Sequence, residues 1–203
     1  IFQLAANMEQ LLLNIHLPRK KSLDNFIVGK NNESIEAIQN FVKSTDQLFI
    51  FIWGNEGSGK SHLASAVEDY GIKTIEDIET YDDDEQIKIF NLYNYHKETK
   101  QKLFITGANS PKHMGLRDDL ASRLSWGLVY QIKNLTDKEK ILALEAYAYE
   151  KNMKLSHQVI NFCMRNLRRD LHTLIASLDA LDEWSLKNKR LITIPLLKEL
   201  LKL

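Results

Sequence analysis

"FIFIWGNEGSGKSHLASAV", residues 49–67, decides the fold. Its first part is an apolar, β-branched and aromatic run (Phe49, Ile50, Phe51, Ile52) that predicts a strand over 48–53. The run enters a glycine-rich turn and leaves in a pattern that predicts a helix over about 60–69. "GNEGSGKS" satisfies G-x-x-x-x-G-K-[ST] with Gly54, Gly59, Lys60 and Ser61. Glycines let the backbone curl so that several N–H groups face one anion, and the following helix adds its positive end. Lys60 can reach the β- and γ-phosphates of a nucleotide, ATP or ADP, and the Ser61 hydroxyl can ligate Mg²⁺. Gly57 and Ser58 complete the cradle. Strand and helix flank the motif on the correct sides, so a chance glycine turn is the weaker reading.

A phosphate turn of this kind becomes an enzyme only with an acidic strand end beside it, to hold Mg²⁺ through water and polarise the attacking water. "TIEDIE" (74–79) is expected to supply it: a short strand ending in Glu76 and Asp77, with Glu79 one turn on. Glu76 stands where most such proteins place the Mg²⁺-linked aspartate. Its extra methylene moves the carboxylate by about 1.5 Å, and misplacement on that scale costs ~10²-fold in rate. The chain is expected to bind nucleotide well and hydrolyse it poorly. The acidic run Asp82–Glu85 lacks EF-hand spacing and reads as a solvated loop and helix start.

Outward from this stretch, strands and helices alternate. Ile35, Ile38 and Val42 follow helical spacing after a cap at Asn32 or Ser34. "EQIKIFNLYNYHKETK" predicts a helix whose apolar face carries Ile87, Phe90, Leu92 and Tyr93, with Lys97 in the same arrangement. "KLFITGA" predicts a buried strand, "LRDDLASRLSWG" a helix and turn, and "LVYQIKNL" another strand. From about Leu135 strands disappear and four helices follow, opened by Thr136, Ser156 and Thr193 at or near their caps. The expected fold is an α/β P-loop base with a parallel sheet plus a C-terminal all-helical lid. The expected domains are a peptide at 1–17, a base at 18–134 and a lid at 135–203. Residues 1–7 precede Met8 and are set aside as a candidate addition ahead of the native start.

Composition narrows the partners. With 27 Lys+Arg against 27 Asp+Glu, no global field draws the chain to DNA or to an anionic membrane. A protein or a nucleotide fits better, with no direct sequence-specific DNA binding. The single cysteine, Cys163, lies in the apolar pattern "VINFCMRNL" and reads as a buried small residue. No apolar run is long enough to span a bilayer and "QLLLNIHL" is too short and polar for a signal peptide, which implies a cytoplasmic protein without membrane contact.

With these pieces placed, the chain from about Gln10 to Leu203 resembles the AAA+ ATPases of the bacterial initiator DnaA family. "SLDNFIVGKNNESIEAI" is similar to the family's N-terminal box, "GNEGSGKS" to its Walker A turn and "IEDIE" to its Walker B. "DLASRLSWGLVYQI" is similar to the arginine-finger box, and "RRDLHTLIASLDAL" to the sensor II helix. The ending "ITIPLLKELLKL" matches as well. The chain stops after the lid, without the helix-turn-helix domain that reads origin boxes, and begins with a short peptide. That combination resembles the branch of the family that inactivates the initiator. The resemblance implies a nucleotide-bound regulator, tethered to the β sliding clamp of DNA polymerase, that prompts the initiator DnaA to hydrolyse its ATP.

Residue by residue, the resemblance makes Arg123 the arginine finger, acting in trans on the partner's ATP; a guanidinium there neutralises charge on the transferring phosphoryl group. The alternative is a helix-end arginine paired with Asp118 or Asp119. Arg169 matches the sensor II arginine, with Arg168 as the fallback. Sensor I is weaker, because Ala108 stands at the usually polar position and leaves Thr106 or Asn109 to substitute. Gln10, Leu11 and Leu13 fit a Gln-Leu-x-Leu clamp peptide, and the alternation through Ile15 and Leu17 suits an extended segment in a groove; an edge strand under the base is the alternative. One departure stands out. Only 16 residues separate Lys60 from Asp77, whereas a further strand and helix need about 25 or more, so the sheet is expected to be one strand narrower. A self-sufficient ATPase or helicase-loader-like protein, and a nucleotide-sensing adaptor without catalytic input, are the competing functions. Homodimerisation is left open.

Overall fold

Four short strands, β1 (Phe49–Trp53), β2 (Lys73–Ile75), β3 (Leu103–Gly107) and β4 (Leu128–Gln131), form one parallel sheet in the order β2-β3-β1-β4. The computed structural model describes residues 20–168 and 170–201. These fall into two compact units, one from Lys20 to Leu135 that holds the sheet and one from Thr136 onward that is helical.

The apolar runs of β1 and β3 are covered on both faces, as the central strands of a parallel sheet must be. Ile50 and Ile52 turn to a core shared with α1 (Asn32–Lys43) and α2 (Lys60–Glu68), where Ile38, Phe41 and Leu63 are fully buried. Phe51 turns to the opposite core, shared with α3 (Asp83–Glu98) and α4 (Asp118–Leu124) through Ile89, Tyr93 and Leu120. Register aligns Phe51 with Ile105, and Ile105 with Ile75, so β2 ends two residues before β1 and β3, which end together at Trp53 and Gly107. α2 ends at Glu68 and β2 begins at Lys73. A tight turn through Gly71 (φ 72°) joins them, with no room for a further strand and helix.

Two local expectations are corrected. Neither Asn32 nor Ser34 caps α1: Asn31 holds the cap position without a side-chain cap bond. The Asn31 amide instead donates to Lys133 O (2.9 Å) while its Oδ1 accepts from Lys133 N (2.8 Å), and Ser34 Oγ donates to Gln131 O (3.0 Å). These polar groups are buried by the exit of β4, and satisfying its backbone outweighs capping. On α3 the buried row is Gln86, Ile89, Tyr93 and His96, whereas Ile87 is exposed. Gln86 is tolerated inside because its amide donates to Tyr81 O and accepts from Arg117 N. The acidic run does open this helix: Asp82 and Glu85 form a reciprocal capping box.

The helical unit holds α5 (Asp137–Glu150), α6 (His157–Asn166), α7 (Leu171–Asn188) and α8 (Ile194–Leu201). Thr136 caps α5 in a box with Glu139, Ser156 caps α6, and Asp170 caps α7 by accepting from Thr173 N. Its core joins Leu144, Ile160, Cys163, Leu174 and Leu178. Cys163 is 1% exposed, and burial pushes its thiol up to about 11, as suits a packing residue. Among the described residues no helix is long and apolar enough to cross a membrane. The fold is therefore α/β with a parallel sheet, plus an all-helical C-terminal region.

Candidate functional site

The turn after β1 is built by close packing. Gly54 N donates to Gly107 O (3.2 Å), tying the start of the turn to the end of β3. A Cβ on Gly54 would fall 2.3 Å from Ile132 O, so no side chain fits there. Gly59 adopts φ 101° at the cap of α2, and a Cβ on it would lie 2.7 Å from the Phe26 ring. The Asn134 amide donates to Glu56 O (2.9 Å), pinning the tip of the turn to the segment after β4.

Inside this turn Lys60 is buried, its Nζ donating to Gly54 O (2.8 Å) and Asn55 O (3.4 Å). Those acceptors are neutral, and no described carboxylate forms an ion pair with it. A buried ammonium held by carbonyls alone leaves its charge uncompensated, which favours an incoming anion. Ser58 Oγ points the same way: it is buried without a hydrogen-bond partner. Ser61 is exposed in the first turn of α2.

Over the turn lies the segment before α1. Phe26 meets the His62 ring edge-on at 5.4 Å between centroids, and His62 Nε2 contacts Ser22 O at 2.9 Å. Sequence reasoning missed Phe26, His62 and Asn134. Their pairings span tens of residues, and no local spacing announces them.

The acids follow a short strand, as expected. Glu76 and Asp77, both half-buried, follow β2, which pairs with β3 and not with β1. In the sheet β3 lies between β2 and β1, so the strand that ends in the acids and the strand that enters the turn are two strand spacings apart, about 10 Å along the sheet. Asp77 is left-handed (φ 48°, ψ 54°), a conformation costing a non-glycine residue about 1–3 kcal/mol. It is held there by its N–H donating to Thr106 Oγ1 (3.1 Å) and by Thr80 Oγ1 donating to its carbonyl (2.8 Å). Thr106, fully buried in β3, therefore buttresses the acidic corner. Asn109 turns its Oδ1 to Ser110 N, and Ala108 is exposed. Among the described residues no three His, Cys, Asp or Glu side chains gather as a metal site.

Arg123, in the last turn of α4, is half-buried and lies 4.6 Å from the Trp126 ring centroid and 5.8 Å from that of Phe90. The alternative pairing with Asp118 or Asp119 is absent among the described ion pairs. Arg117 takes Asp119 instead, through Nε (3.3 Å) and Nη2 (3.1 Å), and that hydrogen bond holds the Asp119 carboxyl below its ordinary value. Two positions before Asp119, Arg117 reaches it from the helix start, whereas Arg123 is four residues down and turned to the aromatics. Tyr93 titrates above its usual range because it is buried, although the Arg123 charge opposes the shift. Gln10, Leu11, Leu13 and Arg169 lie outside the described residues. Arg168 is exposed, with Nε 3.8 Å from Asp170.

Residues 137–201 match the family model for the Hda lid domain. An uncharacterized protein of Haemophilus influenzae is 32% identical over 229 residues, taking in 96% of this chain and 99% of the relative. The chain belongs to the Hda family. The aligned length exceeds the 203 residues of this chain, so that relative carries residues without a counterpart here. In fold, the chain is similar to domain III of the replication initiation protein DnaA from Thermotoga maritima, with a TM-score of 0.73 at 18% identity over 92% of this chain and 98% of that one. It is also similar to the replication initiator DnaA bound to AMPPCP and single-stranded DNA, with a TM-score of 0.67 at 20% identity over 84% and 68% of the two chains. The helical unit thus carries an Hda lid, and the fold of the chain is that of the DnaA domain it is similar to.

Proposed function

We propose that this Hda-family chain is a negative regulator of chromosome replication initiation: nucleotide-bound and tethered to the β sliding clamp, it stimulates ATP hydrolysis by the initiator DnaA through Arg123 in trans. The observation that carries this reading is Arg123 itself. It is a guanidinium at a helix end, with no described carboxylate as an ion-pair partner, so its charge is available to a phosphoryl group outside the chain.

The nucleotide role rests on the turn. The orphaned Ser58 hydroxyl and the charge of Lys60 fit phosphate oxygens, and an initiator DnaA of similar fold is bound to AMPPCP. Gly54, Gly57, Ser58, Gly59, Lys60 and Ser61 would cradle ADP or ATP, with Arg169 reaching it from the lid. Ser61 and Glu76 offer one hydroxyl and one carboxylate toward Mg²⁺, which keeps several waters and takes phosphate oxygens for the rest of its shell. When bound, the metal neutralises phosphate charge. Glu76 stands where most such proteins place an aspartate, which fits weak hydrolysis of the chain's own nucleotide. We assign residues 1–17 to clamp binding through Gln10, Leu11 and Leu13, 18–134 to the nucleotide-binding base and 135–203 to the lid.

The test is single-turnover hydrolysis of ATP preloaded on DnaA, with clamp-loaded DNA, with and without this protein. Acceleration only when protein and clamp are both present is the expected result. Persistence of the initiator's ATP while this chain's own nucleotide turns over would overturn the reading in favour of a self-sufficient ATPase.

A further inference from the structure

Trp126 is 64% exposed. Tryptophan is rarely left so far in water, because its ring carries a large transfer free energy. Its position has a local cause. Gly127, the next residue, packs so tightly on β1 that a Cβ would lie 2.8 Å from Phe49 O. Trp126 N donates to Arg123 O (3.1 Å) in the turn closing α4. The chain must therefore pass β1 through Gly127, and the indole is left outside at the end of the helix that carries Arg123.

What meets that indole is positive charge. The Arg123 guanidinium lies 4.6 Å from its centroid, and Lys97 Nζ, from the last turn of α3, lies 5.5 Å away. Phe90 flanks the guanidinium at 5.8 Å. The nearby carboxylate that could capture Arg123, Asp119, is occupied by Arg117. An arginine held by a π face keeps its full charge and its five N–H donors unspent, which an arginine in a salt bridge does not.

We infer that Trp126 is a positioning residue for Arg123: its indole holds the guanidinium in place, uncommitted to any carboxylate, so that it reaches a partner's phosphoryl group already oriented. This rests on the trans-acting role proposed for Arg123. Preorganisation of this kind acts on the rate within the complex rather than on its formation. Stacking on tryptophan is worth more once a partner excludes water. Losing it is expected to lower the stimulated rate roughly five- to thirtyfold.

The experiment compares wild type, Trp126→Ala, Trp126→Phe, Arg123→Ala and the double variant Arg123→Ala/Trp126→Ala. It measures DnaA ATP hydrolysis against protein concentration on clamp-loaded DNA. The expected pattern is a lower maximal rate for Trp126→Ala with an unchanged half-saturating concentration. Trp126→Phe should recover most of the loss, and the double variant should fall no further than Arg123→Ala. In parallel, the three tryptophan indole N–H signals are followed by NMR and assigned with Trp126→Phe; Arg123→Ala should move the Trp126 signal alone. A wild-type rate in Trp126→Ala, a change confined to half-saturation, or a Trp126 signal indifferent to Arg123→Ala overturns the inference, even with Arg123 essential. If wild type gives no stimulation, the trans-acting role itself fails, and the inference falls with it.

Discussion

Two cations of the base stand in opposite settings. Lys60 is buried in the turn after β1, with its ammonium folded back onto two carbonyls of that same turn. Arg123 is laid across exposed Trp126 at the end of α4. Neither has a described carboxylate as an ion-pair partner. The difference lies in what each can reach. An ammonium enclosed by its own loop can meet an anion that enters that loop, whereas a planar guanidinium on a surface indole is open to one brought by another molecule. The same absence of an ion pair thus points inward in one case and outward in the other.

The comparison breaks first at Arg123. Arg123→Ala is expected to lower stimulated hydrolysis of the initiator's ATP by roughly 10³–10⁵ while leaving this chain's own nucleotide affinity unchanged. A loss of that affinity would mean the two cations serve one site. Lys60→Ala should do the reverse to binding: nucleotide affinity falls about a hundredfold, the worth of one or two charge-assisted hydrogen bonds, as read by calorimetry. Nucleotide retained at wild-type affinity would sink the phosphate role of the turn.

The packing around Lys60 can be sharpened with two glycines. Gly57→Ala meets open space at φ 74° and should cost about 1–2 kcal/mol for the left-handed backbone alone. Gly59→Ala also drives a methyl group to 2.7 Å from the Phe26 ring, and its melting temperature should be the lower of the two. Phe26→Ala placed in the Gly59→Ala background should close that gap. Equal melting temperatures for the two glycine variants would remove Phe26 from the account.

The smallest effect concerns the ion pair that leaves Arg123 uncommitted. Arg117 lowers the folded pKa of Asp119, so the pair stabilises the fold above the ordinary carboxylate value and ceases to do so as pH falls through the lowered one. Arg117→Ala should let the Asp119 carboxyl titrate higher, toward 3.8, by carbon-detected NMR. Any stability difference from wild type should be present at neutral pH and vanish in acid. A carboxyl that stays low without Arg117 would show that Arg123 had taken its place.

Much of the fold was legible because it is local. A strand run, a glycine turn and a helix in order, Asp82 three residues before Glu85, and Thr136 three before Glu139 each act within a few residues, where spacing along the chain is spacing in space. The narrow sheet was legible too, since 16 residues between Lys60 and Asp77 leave no length for another strand and helix. The site was legible as residue types but not as partnerships. Ser34 looks like a cap and Asn31 holds the cap position, yet their side chains bond Gln131 and Lys133 at the exit of β4, about a hundred residues on. Gln86 looks like a solvated helix residue, yet Tyr81 and Arg117 give it two bonds inside.

By itself, then, the sequence determined the glycine turn between strand and helix, the helix start at Thr136, the strand–helix alternation and the helical C-terminal region, all set by backbone geometry and periodicity. Only the tertiary structure decided that β3 lies between β2 and β1 and that Thr106 props Asp77 in a left-handed corner. It alone decided that Arg117 wins Asp119, and that Arg123 rests on Trp126. Each of these is a competition among side chains for one partner, and the winner is set by which elements the sheet order brings together.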